Sequence, residues 1–164
     1  MLTTEQQEAM AGHVQYEIDE FRNSFLDLPS LRERPRLWNR TLESVLLHFR
    51  VLRGFFFCEG TNPTSDVNAS DYISTWQPIK APVFDNTKKA VDKVLAHLTL
   101  ERVTNPQMLD WPDLDSMGAA LEALISDFRK SLSPIQATWF PRLEEFRAVP
   151  LIGAEGNRTD SGAD

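Results

Sequence analysis

The chain is predicted to be all-α: a bundle of four main helices with short extra helices and one long irregular connection. Three observations predict this. Apolar residues recur at spacings of three and four in four separate stretches. No stretch alternates as a half-buried strand would. Prolines and Ser or Asp caps stand where those stretches begin or end.

The first helix is expected over residues 4–27. Met10, Val14, Ile18, Phe21, Phe25 and Leu28 make one apolar stripe, Thr4 with Gln7 offers a capping box, and Pro29 follows the end. Pro35 fits the first turn of a second helix, where its missing N–H costs nothing. Trp38, Leu42, Val45, Phe49, Leu52 and Phe56 form the most regular stripe in the chain. Leu46, Leu47, Val51, Phe55 and Phe57 add apolar surface on its other faces, which predicts a central, nearly all-round buried C-terminal half.

Residues 59–83 form the long connection. EGTNPTS is loop by composition, residues 66–73 offer one helical turn, and Trp76, Pro78 and Pro82 mark an irregular excursion. A third helix, capped by Asp85 or Asn86, is expected to run to about Val103 with Thr87, Val91, Val94, Leu95 and Leu98 as its stripe. Asp113 or Asp115 caps a fourth, with Met117, Leu121, Leu124, Phe128 and Leu132 facing inward. Ser133-Pro134 starts a short segment, and Pro141 a last short helix through Phe146. Residues 1–152 are expected to be one domain and residues 153–164 a disordered tail.

With 164 residues, 41% of them hydrophobic and 25% charged, the composition is that of an ordinary globular domain. The single cysteine, Cys58, excludes an intrachain disulfide. No signal peptide or long uncharged apolar run is visible, so a cytoplasmic protein without membrane association is expected. The net charge of −7 disfavours nonspecific nucleic-acid binding. Residues 35–58 nevertheless carry +3 and residues 80–105 carry +2, and these segments hold His48 and His97. Pairing of acidic with basic helices inside the fold accounts for such alternation without a ligand.

On a helical wheel His48 lies about 80° from the stripe centre of the second helix, Arg50 at the opposite edge, and Arg53 nearer the stripe. Arg53 therefore needs a carboxylate partner. Arg102 falls near the stripe centre of the third helix, so it either pairs with an internal carboxylate, Asp66 or Asp71, or faces a polar cavity. His97 and Glu101 are one turn apart, the spacing of an acid–base unit and also of ordinary surface pairs. His13, His48 and His97 stand on three helices, but Glu-x-x-His and His-Glu-x-x-His are absent, so a three-His metal site would rest on tertiary geometry alone. No cofactor is expected. Cys58, at a helix C-terminus where the dipole disfavours a thiolate, reads as a small buried side chain.

His48-Phe49-Arg50, then Asp66-Val67-Asn68-Ala69-Ser70-Asp71-Tyr72, then Ala96-His97-Leu98-Thr99 with Arg102, resemble motifs of a group of small bacterial helical proteins that are similar to the HEPN superfamily. The resemblance spans roughly residues 38–103. It implies a helical bundle and dimerisation and, for active HEPN members, metal-independent RNA cleavage by an Arg followed four to six residues later by His. This chain departs from that pattern: Arg40 stands eight residues before His48, and Arg102 follows His97 instead of preceding it.

Three functions are thus expected in turn. The first is a regulatory or interaction module, a homodimer whose polar network joins His48, Asp66, Asp71, His97 and Arg102. The second is an HEPN-like RNase or nucleotide-binding protein, with His97 as acid or base, His48 beside it, and Arg102 and Arg50 on phosphate. The third is a three-His metal protein.

Overall fold

A computed structural model describes residues 2–59, 66–91 and 113–143. Among these residues there is no strand. The helices are α1 (Thr4–Asp27), α2 (Pro35–Phe57), α3 (Ala69–Tyr72), α4 (Pro82–Val91), α5 (Leu114–Ser131) and α6 (Pro134–Thr138), with a 3-10 turn at Leu28–Leu31 between the first two. The expected all-α fold is present, and α1, α2, α4 and α5 are its four main helices.

The helix starts follow their capping chemistry. Thr3 caps α1, and its hydroxyl accepts from Gln6 N–H while the Gln6 side chain accepts from Thr3 N–H. The capping box is therefore one residue earlier than the Thr4–Gln7 pair expected, because Thr3 holds the extended backbone a cap requires. Asp113 caps α5, and Ser133 with Gln136 boxes α6. α4 begins at Pro82, ahead of the Asp85 or Asn86 cap expected, since proline is already set for a first turn. The C-terminal course of the third helix toward Val103, most of the last short helix and the tail lie outside the described residues.

α1 and α2 form an antiparallel pair. The hydroxyls of Ser24 and Ser44 meet at 2.9 Å near the connecting turn, and Glu17 reaches His48 further along. Ile18, Phe21, Phe25, Leu42, Val45, Leu46, Phe49, Leu52 and Phe56 are buried between them and α5. α5 runs antiparallel to α1: Gly118 lies against the Phe25 ring, and one turn later Glu122 meets Arg22. A methyl at position 118 would approach Phe25 Cζ to 2.9 Å, so only glycine lets this crossing close. Arg22 is buried, and its Nε and Nη2 each donate to Glu122 at 2.8 Å. It also donates to the carbonyls of Arg142 and Leu143, tying the chain after α6 to α1.

Phe128 of α5 is the meeting point of the elements. Its ring lies 5.4 Å from Phe55, 5.7 Å from Phe56, 5.9 Å from Tyr72, 5.7 Å from Trp76 and 5.5 Å from Phe140, mostly edge to face. The long excursion is thus pinned rather than loose. Trp76 Nε1–H donates to the Phe56 carbonyl at 2.7 Å, one of the acceptors left open in the last turn of α2. Tyr72 donates to the Gln7 carbonyl at 2.9 Å, and Gln136 donates to the Tyr72 carbonyl at 2.8 Å.

Two expectations about α2 are corrected. Its C-terminal half is not buried all round: Leu47 is 54% and Val51 44% exposed, because α1, α4 and α5 leave one face uncovered. Cys58 is exposed, not buried. It takes the left-handed conformation that ends the helix, with φ 55°, and its Sγ points to the Ser70 hydroxyl at 3.4 Å.

Replacing Phe128 with Ala is expected to lower stability by about 3–5 kcal/mol in urea denaturation. Burial, with the nearby Asp71 charge, raises the Tyr72 phenol to about 12. The fold favours the neutral phenol, so this contribution is complete below pH about 10 and is lost between pH 10 and 12. Alkaline unfolding followed by circular dichroism is therefore expected in that window, and Tyr72→Phe shifts it upward.

Candidate functional site

A cleft of about 500 Å³, with apolar and charged side chains in its lining, lies between α1, α2 and residues 66–68. Its position follows from the helix pair. α1 presents Met10, His13, Val14 and Glu17 on consecutive turns, and α2 answers with Val51, Leu52, Gly54 and Phe55. The segment after the loop brings Asp66, Val67 and Asn68 over the open end. Met10, Val14, Val51, Leu52, Phe55 and Val67 make an apolar floor. Glu17, Glu59 and Asp66 place carboxylates on the margin beside His13 and Asn68. A Cβ at Gly54 would meet nothing within 4 Å, so the cleft has open space beside this position.

The margin is held by two polar nodes. His48 Nδ1 lies 2.7 Å from Glu17 Oε2, and its ring stands edge-on to Tyr16 with centroids 6.1 Å apart. This places His48 at the boundary of α2, as its wheel position predicts, but turns it to α1. The second node is Arg53, buried under the C-terminal end of α2. It bonds Glu59 and Asp85, the latter at 3.0 Å, and stacks over Phe57 at 5.4 Å. The carboxylate partner expected for Arg53 is therefore supplied twice. Lys88 is the second partner of Glu59, donating to it at 3.2 Å. Burial pushes the Glu59 carboxyl upward, but the hydrogen bonds and charges of Arg53 and Lys88 outweigh it and leave it below its ordinary value.

The predicted site residues are dispersed among the described elements. Asp66 lines the cleft, and its carbonyl accepts from Asn68 Nδ2. The Asp71 carboxylate accepts from Asn68 N–H at 2.9 Å and so serves the start of α3. Arg50 is exposed on α2. His48 does not line the cleft itself but orders Glu17, which does. His97 and Arg102 lie outside the described residues, as does Glu101. His13 is exposed at the cleft margin, and among the described residues no group of His, Cys, Asp and Glu is arranged to hold a metal ion. No described helix is long and apolar enough to cross a membrane.

Sequence reasoning missed Glu17 and Glu59 as site residues and Arg22–Glu122 as a buried pair. Arg22 carried a signal: it stands four residues after Ile18 and three before Phe25, inside the apolar stripe. Glu17 and Glu59 carried none, since their partners lie on other turns or other helices.

The fold depresses the Glu59 carboxyl, so its contribution is present above the ordinary value of 4.5 and is lost as the pH falls through the lowered value. Thermal melts are expected to show wild-type protein losing more stability between pH 5 and pH 3 than Glu59→Gln, which starts lower and varies less.

No family model matches the chain, and no curated protein or solved structure is significantly similar to it.

Proposed function

We propose that this protein is a noncatalytic interaction module, and that the cleft between α1, α2 and residues 66–68 is its docking surface for an apolar segment carrying positive charge. The observation that carries this is the union of an apolar floor with a carboxylate margin in one cleft. Apolar area supplies affinity, and the carboxylates of Glu17 and Asp66 set the sign of charge the margin favours, Glu59 being engaged by Arg53 and Lys88. The side chains on that margin are tied into pairs, His48 with Glu17 and Arg53 with Glu59, which suits a preformed surface. None is arranged as a nucleophile with its base.

The same carboxylates disfavour phosphate in this cleft. HEPN-like RNA chemistry would draw on His97 and Arg102, outside the described residues, together with the exposed Arg50.

A synthetic amphipathic helix of Leu and Lys is the appropriate probe, with its Leu and Glu counterpart as control. The Lys peptide is expected to bind with an affinity that falls as salt rises, and the Glu peptide not to bind. Gly54→Trp fills the cleft from a position with open space, so it folds and weakens Lys-peptide binding about tenfold or more. Equal binding of both peptides, or unchanged binding by Gly54→Trp, overturns the docking role.

A further inference from the structure

α2 buries one side and leaves the opposite side in water. On that outer face Arg36, Arg40, Leu47, Val51 and Gly54 follow one another within about 40° of Leu47 on the helical wheel, with Glu43 at the edge. Leu47 and Val51 are exposed, and Val51 and Gly54 open into the docking cleft. The cleft is therefore one end of a longer surface that runs along α2.

The two ends of that surface differ in charge. Residues 32–40 hold Arg32, Arg34, Arg36 and Arg40 against the single acid Glu33, and all five residues are exposed. α2 begins there with no side-chain cap and no acidic residue in its first turn, so the positive end of its dipole adds to the arginines. The other end is the cleft, where Glu17 and Asp66 supply carboxylates. Arg36 and Gly54 are eighteen residues apart, about 27 Å along the helix axis.

We infer that the partner of the docking cleft is a helical segment of about 18 residues whose charge changes sign along its length. Its basic end sits in the cleft, its apolar stripe covers Leu47 and Val51, and its acidic end lies over Arg36 and Arg40. This inference rests on the docking role proposed above and fixes the charge order of the partner. A uniformly basic segment suits the cleft but meets the arginines with like charge, and a uniformly acidic one reverses the conflict. The charges stand at the rim of the contact, so they set selectivity, and salt weakens that selectivity.

The test is a binding titration with labelled helical peptides of about 20 residues that share one Leu stripe. One carries Glu at one end and Lys at the other, the second carries Lys throughout, and the third intersperses the same Glu and Lys. The two-ended peptide is made in both chain directions, because the surface orders the charges without fixing the direction of the chain. At low salt the wild-type protein is expected to bind the better two-ended peptide about tenfold more tightly than either of the others. Arg36→Glu with Arg40→Glu changes exposed residues at the start of α2, where acidic side chains suit the helix dipole, so the fold is retained. This double variant is expected to reverse the order and bind the Lys peptide most tightly. The neutral pair Arg36→Gln with Arg40→Gln is expected to abolish the preference without reversing it. Absence of the preference in the wild-type protein, or its survival after charge reversal, overturns the inference. The docking role then still stands if the Lys peptide binds and Gly54→Trp weakens it. If the Lys peptide does not bind at all, the docking role falls and the inference falls with it.

Discussion

The structure depends on the packing of one ring. Phe128 brings together the end of α2, the turn of α3, the Trp76 excursion and Phe140 after α6. These segments are far apart in the chain, and several are too short to stand alone: α3 has 4 residues and α6 has 5. Edge-to-face contacts with a common aromatic give them a shared reason to order. The hydrogen bonds between Trp76 and the Phe56 carbonyl, and between Tyr72 and the Gln7 carbonyl, then fix direction where apolar contact alone would not. The cleft is a consequence. Residues 66–68 can roof the end of the α1–α2 pair because α3, immediately after them, is anchored to both α1 and α6.

α2 explains why the molecule has a working face at all. Three sides of this helix meet protein: the core stripe, the His48 side against α1, and the Arg53 side against α4. The fourth carries Leu47 and Val51 into water. Two of the polar contacts are strong for different reasons. Arg22 and Glu122 form a bidentate pair in a largely dry setting, where losing either partner would strand a charge. Arg53 shares two carboxylates, and Glu59 in turn shares Lys88, so the charge at the end of α2 is balanced by a small network rather than by one contact.

Much of this was legible in the sequence. The stripe spacings gave four helices whose described ends lie close to those expected, the C-terminal end of the third falling outside the described residues, because a helix that buries one face must repeat its apolar residues at that period. The boundary position of His48 and the need of Arg53 for a carboxylate also followed from the wheel. What did not follow was the identity of partners across the fold. Glu17 is an ordinary exposed-looking residue until α2 lies beside α1, and Glu122 becomes the partner of Arg22 only when α5 crosses at Gly118. Cys58 was misplaced because composition reports a small apolar residue, whereas the left-handed turn ending α2 faces it outward. Leu47 and Val51 were misplaced because apolar character does not state which neighbours arrive to cover it.

The indole N–H of Trp76 tests most directly whether the aromatic packing builds the cleft. Its hydrogen-exchange rate, followed by proton NMR, reports whether the excursion is docked on the end of α2. Slow exchange in the wild-type protein, accelerated strongly in Phe128→Ala under conditions where α1 and α2 remain folded, is the predicted result. An indole N–H that exchanges at the rate of an exposed one in the wild-type protein, or whose protection is unchanged without the Phe128 ring, would contradict it.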